Sequence, residues 1–177
     1  LVLTVICVIA SLLLTYAHEL TKTRIADQKE QKFSESVEAL FGKTDSRLIN
    51  DNFGYDEVEA VAVTSDGKTA IQVCTDGYSK DGINILVGID ENGAVSGIEF
   101  VSLGETPGLG SKINDDAFLQ RFYGVKSDIS IVKSEPKNEN EVQGITGSTF
   151  SSKGMAKAVN LAVKAYSVMD KEVQPNE

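Results

Sequence analysis

Histidine, cysteine and tryptophan are nearly missing from this chain: one His (His18), two Cys (Cys7 and Cys74) and no Trp in 177 residues. Two thiols cannot supply the four protein thiolates of an iron–sulfur cluster, and with a single imidazole they cannot complete the usual four-ligand Cys/His zinc site. A Ser-His-Asp triad would have to use His18, which abuts an apolar segment. Basic residues are the minority, 17 Lys and Arg against 26 Asp and Glu, for a formal net charge of −9. That balance argues against nucleic-acid binding, because phosphate contacts need a clustered Lys/Arg surface. No catalytic residue and no metal ligand set is expected: whatever chemistry the chain takes part in, its own side chains supply little of it.

What is present, first, is an uncharged apolar run, Leu1–Ala17. As a helix it would extend roughly 26 Å against a hydrocarbon core of about 30 Å. The chain opens on Leu rather than Met, and residues before Leu1 are expected to complete the span. A secretory signal peptide is the rival reading. Its apolar part should be shorter and end in an A-x-A-like site, whereas the sequence continues Thr15-Tyr16-Ala17-His18. A retained anchor fits better. The flank from His18 to Lys32 mixes both charge signs, so charge does not orient the segment.

Glu19–Phe41 has no Pro or Gly and is rich in good helix formers. It predicts a helical continuation that docks through Phe33, Val37, Leu40 and Phe41 and stops at Gly42. Strands are predicted over Glu57–Thr64 and Lys68–Thr75, joined by Ser65-Asp66-Gly67, and over Ile83–Asp90 and Ala94–Leu103, joined by Glu91-Asn92-Gly93. Ile83, Ile85, Val87 and Ile89 alternate, which implies one buried face. A short helix over Asp115–Tyr123 with Asn114 as its cap, a strand over Asp128–Lys133 and a final helix over Phe150–Asp170 follow. Met155, Val159, Ala162, Tyr166 and Met169 form one stripe of that last helix. Hairpins flanked by helices predict an α+β fold with an antiparallel sheet. The expected organisation is a transmembrane helix over 1–18, a helical stalk over 19–42 and one domain over 43–177.

Two segments could carry function. Gly144-Ile145-Thr146-Gly147-Ser148-Thr149-Phe150-Ser151-Ser152 opens the last helix. Small and hydroxyl residues there offer free N–H groups and the positive dipole end to a phosphate. The same residues would equally make an ordinary N-cap. Neither a Walker loop nor a dinucleotide fingerprint is present. The second segment, Gly104-Glu105-Thr106-Pro107-Gly108-Leu109-Gly110, follows a strand and holds a tight turn. It could let backbone approach a flat ligand, or be a turn and nothing more. Gly77-Tyr78 has the same two readings.

In order and spacing, these segments resemble the FMN-binding domain family. With one N-terminal apolar helix, the whole chain resembles the G subunits of Rnf complexes, ion-translocating ferredoxin:NAD oxidoreductases. A relative is the family of C subunits of the sodium-translocating NADH:quinone oxidoreductase. In the family the motif reads Ser/Thr-Gly-Ala-Thr, and a flavin transferase joins FMN phosphate to the last Thr as a phosphoester. The resemblance therefore implies covalent FMN on Thr149, with Thr146, Gly147, Ser148, Ser151 and Ser152 around it. Glu105, Thr106, Pro107, Gly108, Leu109 and Gly110 would line the isoalloxazine, with Tyr78 nearby. Ser148 departs from the usual Ala and adds a second hydroxyl. Ser102, Leu103 and Gly104 stand where a His often precedes Glu-Thr-Pro.

The resemblance implies a membrane-anchored electron carrier that relays electrons within a respiratory, ion-pumping (Na⁺ or H⁺) complex. Its domain would lie on the extracytoplasmic side of the cell membrane, against other integral membrane subunits. The alternatives are a C-type subunit of the quinone-reducing complex, a stand-alone flavin reductase, and a flavin-free, membrane-tethered assembly module in which both motifs are structural turns.

Overall fold

The computed structural model describes residues 1–49 and 51–173. Positions 50 and 174–177 of the domain expected over 43–177 lie outside the described residues, as do the side chains of residues 17, 19–27, 29, 30 and 170–173. The chain divides into two compact units, Leu1–Glu35 and Ser36–Glu177. Helix α1 (Val2–Phe41) runs through the first unit and ends in the second. In the first unit the large apolar side chains from Leu1 to Leu14, and Tyr16, are exposed. No helix among the described residues is long and apolar enough to cross a membrane.

The second unit is built on a five-stranded antiparallel meander in the order β1 (Ser46–Ile49), β2 (Val58–Thr64), β3 (Thr69–Thr75), β4 (Ile83–Ile89) and β5 (Val95–Leu103). The two hairpins form where Asp-Gly and Asn-Gly stand between apolar runs. In the second, the Asp90 carboxylate accepts from the N–H groups of Asn92 and Ala94, both at 2.9 Å, fixing the turn from within. After β5 come a 3₁₀ turn (Gly110–Asn114), the short helix α2 (Asp116–Leu119) and a second 3₁₀ turn (Gln120–Phe122). The cap position of α2 is Asp115 rather than Asn114, and its side chain makes no capping bond. Strands β6 (Ser130–Val132) and β7 (Glu141–Gln143) form a separate two-stranded parallel pair. Helix α3 (Thr149–Val173) closes the fold.

The stripe on α3 packs the core. Met155, Val159 and Ala162 are fully buried, together with Ile71, Val73, Ile85 and Val87 of the sheet. Each large apolar side chain so buried contributes about 1.5–3 kcal/mol. Alternation along β4 implied one covered face, but Leu86 and Gly88 are buried as well. The second face is covered by the end of α1. Gly88 pairs with Gly97 across the β4–β5 ladder, and a Cβ at Gly88 would lie 3.1 Å from the Phe41 ring and one at Gly97 2.9 Å from Leu40 Cδ2. Two facing glycines thus make a floor on which the last turn of α1 rests.

The register positions the rest. Thr75, Ile83 and Leu103 are neighbours across β3, β4 and β5. The loop leaving β3 and the segment leaving β5 therefore emerge at the same end of the sheet. Thr75 Oγ1 donates to the Gly154 carbonyl at 3.1 Å, which brings the second turn of α3, and with it the helix start, to that end too.

Candidate functional site

Three segments meet at this end of the sheet and enclose a cleft of about 420 Å³, within the range of small-molecule sites. The loop after β3 contributes Tyr78, the segment after β5 contributes Glu105, Thr106, Leu109 and Gly110, and the start of α3 contributes Gly147 to Ser151.

Two turns of similar construction form the walls. In the first, Leu109 N–H donates to Thr106 O at 3.2 Å, with Pro107 second and Gly108 third at φ +75°. In the other, Ser148 N–H donates to Ile145 O at 3.0 Å, with Gly147 third at φ +85°. A positive φ at the third position is the type II signature, which favours glycine there.

Glu105 ties the walls together. Its side chain is only 6% exposed. Oε1 accepts from the N–H groups of Tyr78 (3.0 Å) and Ser79 (3.1 Å), and Oε2 accepts from the Ser151 hydroxyl. One carboxylate thus joins the β3–β4 loop, the β5 extension and the first turn of α3 through charge-assisted bonds. Gly110 packs against it: a Cβ there would come 2.7 Å from Ser151 Oγ.

The start of α3 is arranged differently. The Ser148 carbonyl accepts the first helical bond, from Ser152 N–H at 2.9 Å, so Ser148 occupies the N-cap position. Its hydroxyl does not cap: it is buried and has no hydrogen-bond partner. Ser152 is wholly buried, and its hydroxyl accepts from Ile145 N–H (3.0 Å) and donates to Ser148 O (2.9 Å). The N–H groups of the first turn thus receive no side-chain cap from Ser148, the serine placed to give one. Thr149 is half-buried between two openings, the cleft already described and an adjoining one of about 450 Å³ that also has Lys133 and Lys153 in its walls.

Of the residues singled out by sequence, Thr149, Gly147, Ser148, Ser151, Glu105, Thr106, Leu109, Gly110 and Tyr78 line the first cleft, and Thr146 lines the adjoining one. Pro107 and Gly108 shape their turn without lining either, and Ser152 braces the turn from behind. Sequence reasoning missed Phe150, which is 70% exposed beside the cleft, and the Lys133–Lys153 pair. A large apolar residue in the first turn of a helix, outside its buried stripe, was the available signal for Phe150.

The donor set suits a flat anionic ligand such as FMN. A buried hydroxyl lacks a partner, an uncapped helix start offers N–H groups, and Tyr78 (75% exposed), Leu109 (53%) and Phe150 present apolar surface at the cleft. The one carboxylate in the lining already has three donors. The arrangement can bind and orient a group, and it holds no unengaged carboxylate for proton transfer.

Residues 77–164 match the FMN-binding domain family, a span running from the β3–β4 loop through most of α3. The G subunit of an ion-translocating oxidoreductase complex from Aliivibrio fischeri (strain MJ11) is 31% identical over 194 aligned positions, covering 98% of this chain and 91% of that protein. The G subunit of the Na⁺-translocating ferredoxin:NAD⁺ oxidoreductase complex of Acetobacterium woodii is 36% identical over 100 positions, 55% of this chain and 47% of that one, about half the relative's length. The crystal structure of the C subunit of the Na⁺-translocating NADH-quinone reductase from Parabacteroides distasonis superposes with a TM-score of 0.58 at 20% identity, covering 86% of this chain and 97% of that one. At that identity it speaks for the fold alone. The chain belongs to the FMN-binding domain family, among the G subunits of ion-translocating oxidoreductase complexes.

Proposed function

We propose that the chain is the electron-carrying G subunit of an Rnf-type ion-translocating ferredoxin:NAD⁺ oxidoreductase, with FMN joined to Thr149 through a phosphoester. The observation that carries this reading is the start of α3: a half-buried threonine on an uncapped helix N-terminus, beside a buried hydroxyl with no partner, in a chain of this family. When bound, FMN supplies the redox chemistry. The protein's part is placement. The N–H groups of the first turn of α3 hold negative charge at Thr149. Tyr78, Leu109 and Phe150 offer apolar surface to a ring system, and Glu105 keeps the two walls in register.

In this reading residues 1–18 serve as a membrane anchor, residues 19–42 as a stalk, and the domain lies on the extracytoplasmic side. The exposed apolar surface from Leu1 to Tyr16 supports the anchor, since contiguous apolar surface of that extent is rare on a water-facing helix. Other integral membrane subunits would take up ferredoxin, NAD and the pumped cation, and a flavin transferase would install the cofactor. Two relatives that align along 98% of the chain are G subunits, which favours this assignment over a C subunit of the quinone-reducing complex.

The test is flavin fluorescence of the fully denatured chain in a gel, after co-expression with the flavin transferase. Wild type should give a fluorescent band and Thr149→Ala none, with the variant still folded. A fluorescent Thr149→Ala band, or a dark wild type, contradicts the assignment.

A further inference from the structure

Ser148 is the one residue at the cleft whose burial is not explained by a partner. It is 5% exposed, and among the described residues its Oγ is the one buried side-chain polar atom without a hydrogen bond. A buried hydroxyl in that state carries an uncompensated desolvation penalty. The ordinary remedy lies within reach, because a serine at an N-cap accepts from the N–H two or three residues on. Ser148 forgoes it. Its neighbours do not share the shortage: Ser151 donates to Glu105, and Ser152 is engaged on both sides. Ser148 lines the cleft at the start of a 25-residue helix whose first N–H groups are likewise uncapped.

We propose that Ser148 is a phosphoryl-binding residue, its hydroxyl donating to an oxygen of the FMN phosphate seated on the α3 N-terminus. The proposal rests on the flavin reading above. It concerns a residue that the family resemblance would make alanine, so the contact is an addition made by this chain. An acceptor bearing negative charge makes the bond stronger than one to a neutral group, and its arrival removes the penalty that the unliganded hydroxyl carries.

The consequence is an inversion of sign. Without ligand, Ser148→Ala deletes an unsatisfied polar group and should melt at or above wild type. With ligand, the same change deletes a bond. The experiment uses the full chain in detergent, produced without the flavin transferase and titrated with FMN and with riboflavin, which lacks the phosphate. Flavin fluorescence reads binding, and melting is measured in phosphate-free buffer. Wild type should bind FMN more tightly than riboflavin. Ser148→Ala should lose about tenfold in FMN affinity, the scale of a hydrogen bond to a charged group, with riboflavin affinity unchanged. The proposal is overturned by equal loss for both ligands, by no loss for FMN, or by a wild type that does not favour FMN over riboflavin. It is also overturned if the unliganded variant melts below wild type, since the hydroxyl would then have a partner of its own. Covalent flavin on the matured chain is read separately, so the flavin reading and the Ser148 contact can fail independently.

Discussion

Glu105 and Ser148 face the same cleft, are buried to almost the same degree, and are provided for in opposite ways. The carboxylate of Glu105 has three donors drawn from two other segments, while the hydroxyl of Ser148 has no partner. The more expensive group to bury is thus the one fully satisfied. A buried group whose bonds all close within the protein is framework. One left open in an otherwise well-bonded site calls for an explanation, and the proposed reading supplies it as a ligand oxygen. In the proposed reading the two walls divide the work, the Glu105 side holding the cleft's shape and the α3 side holding the ligand's charge.

That division can be broken at several points, with effects of decreasing size. Thr149→Ala should abolish covalent flavin outright and leave the fold intact. Glu105→Ala should do the reverse, leaving two backbone N–H groups and the Ser151 hydroxyl without an acceptor. It should lower unfolding stability by about 3 kcal/mol in a urea titration, the range expected for breaking a buried charged network. Glu105→Gln, which keeps shape and one acceptor, should recover part of that loss. If Glu105→Ala leaves stability untouched, the carboxylate is not framework. Ser148→Ala should shift stability only slightly, and in opposite directions with and without FMN.

The smallest effect belongs to a contact elsewhere on α3. Lys157 Nζ and Glu57 Oε1 are 2.9 Å apart on the surface, and the hydrogen bond from Lys157 holds the Glu57 carboxyl below its ordinary pKa. A carboxyl depressed in the folded state contributes stability that is present above its unfolded pKa and lost as pH falls through the folded one. With both side chains more than a third exposed, solvent screening limits this to about 0.5 kcal/mol. Lys157→Met should therefore flatten the acid limb of the stability curve marginally and leave flavin loading unchanged. A loading defect in Lys157→Met would mean that the α3 start is tuned from farther away than the cleft.

The sequence made some of this plain and hid the rest, for physical reasons. Strands β2 to β5 emerge within one residue of their expected bounds, because Asp-Gly and Asn-Gly turns between alternating apolar residues leave little freedom of register. Strands β1 and β7 were not foreseen. They have four and three residues, too few for a periodic signal, and depend on their pairing partners. The second covered face of β4 was hidden for a similar reason, since Gly88 and Gly97 give no apolar signal and matter only as a floor for Phe41 and Leu40.

At the site, spacing located the two turns but not the use of each side chain. The family resemblance implies that Glu105 lines the isoalloxazine, and what it does not show is that the carboxylate is also taken up by Tyr78, Ser79 and Ser151, two of them reached only through the sheet register. The choice between helix cap and anion site at Ser148 could not be made from composition. Serine favours both, and only the absence of a capping bond from its hydroxyl separates them.

The covalent-flavin reading of the cleft turns on Thr149, and not one of the four hydroxyls around it, carrying the flavin. Trypsin would release Asn138–Lys153 as one peptide containing Thr146, Ser148, Thr149, Ser151 and Ser152, and fragmentation mass spectrometry of the chain matured with the flavin transferase would place the modification along it. FMN phosphate on Thr149 is the predicted result. Modification of Ser148, of any other hydroxyl in that peptide, or of none would contradict the assignment.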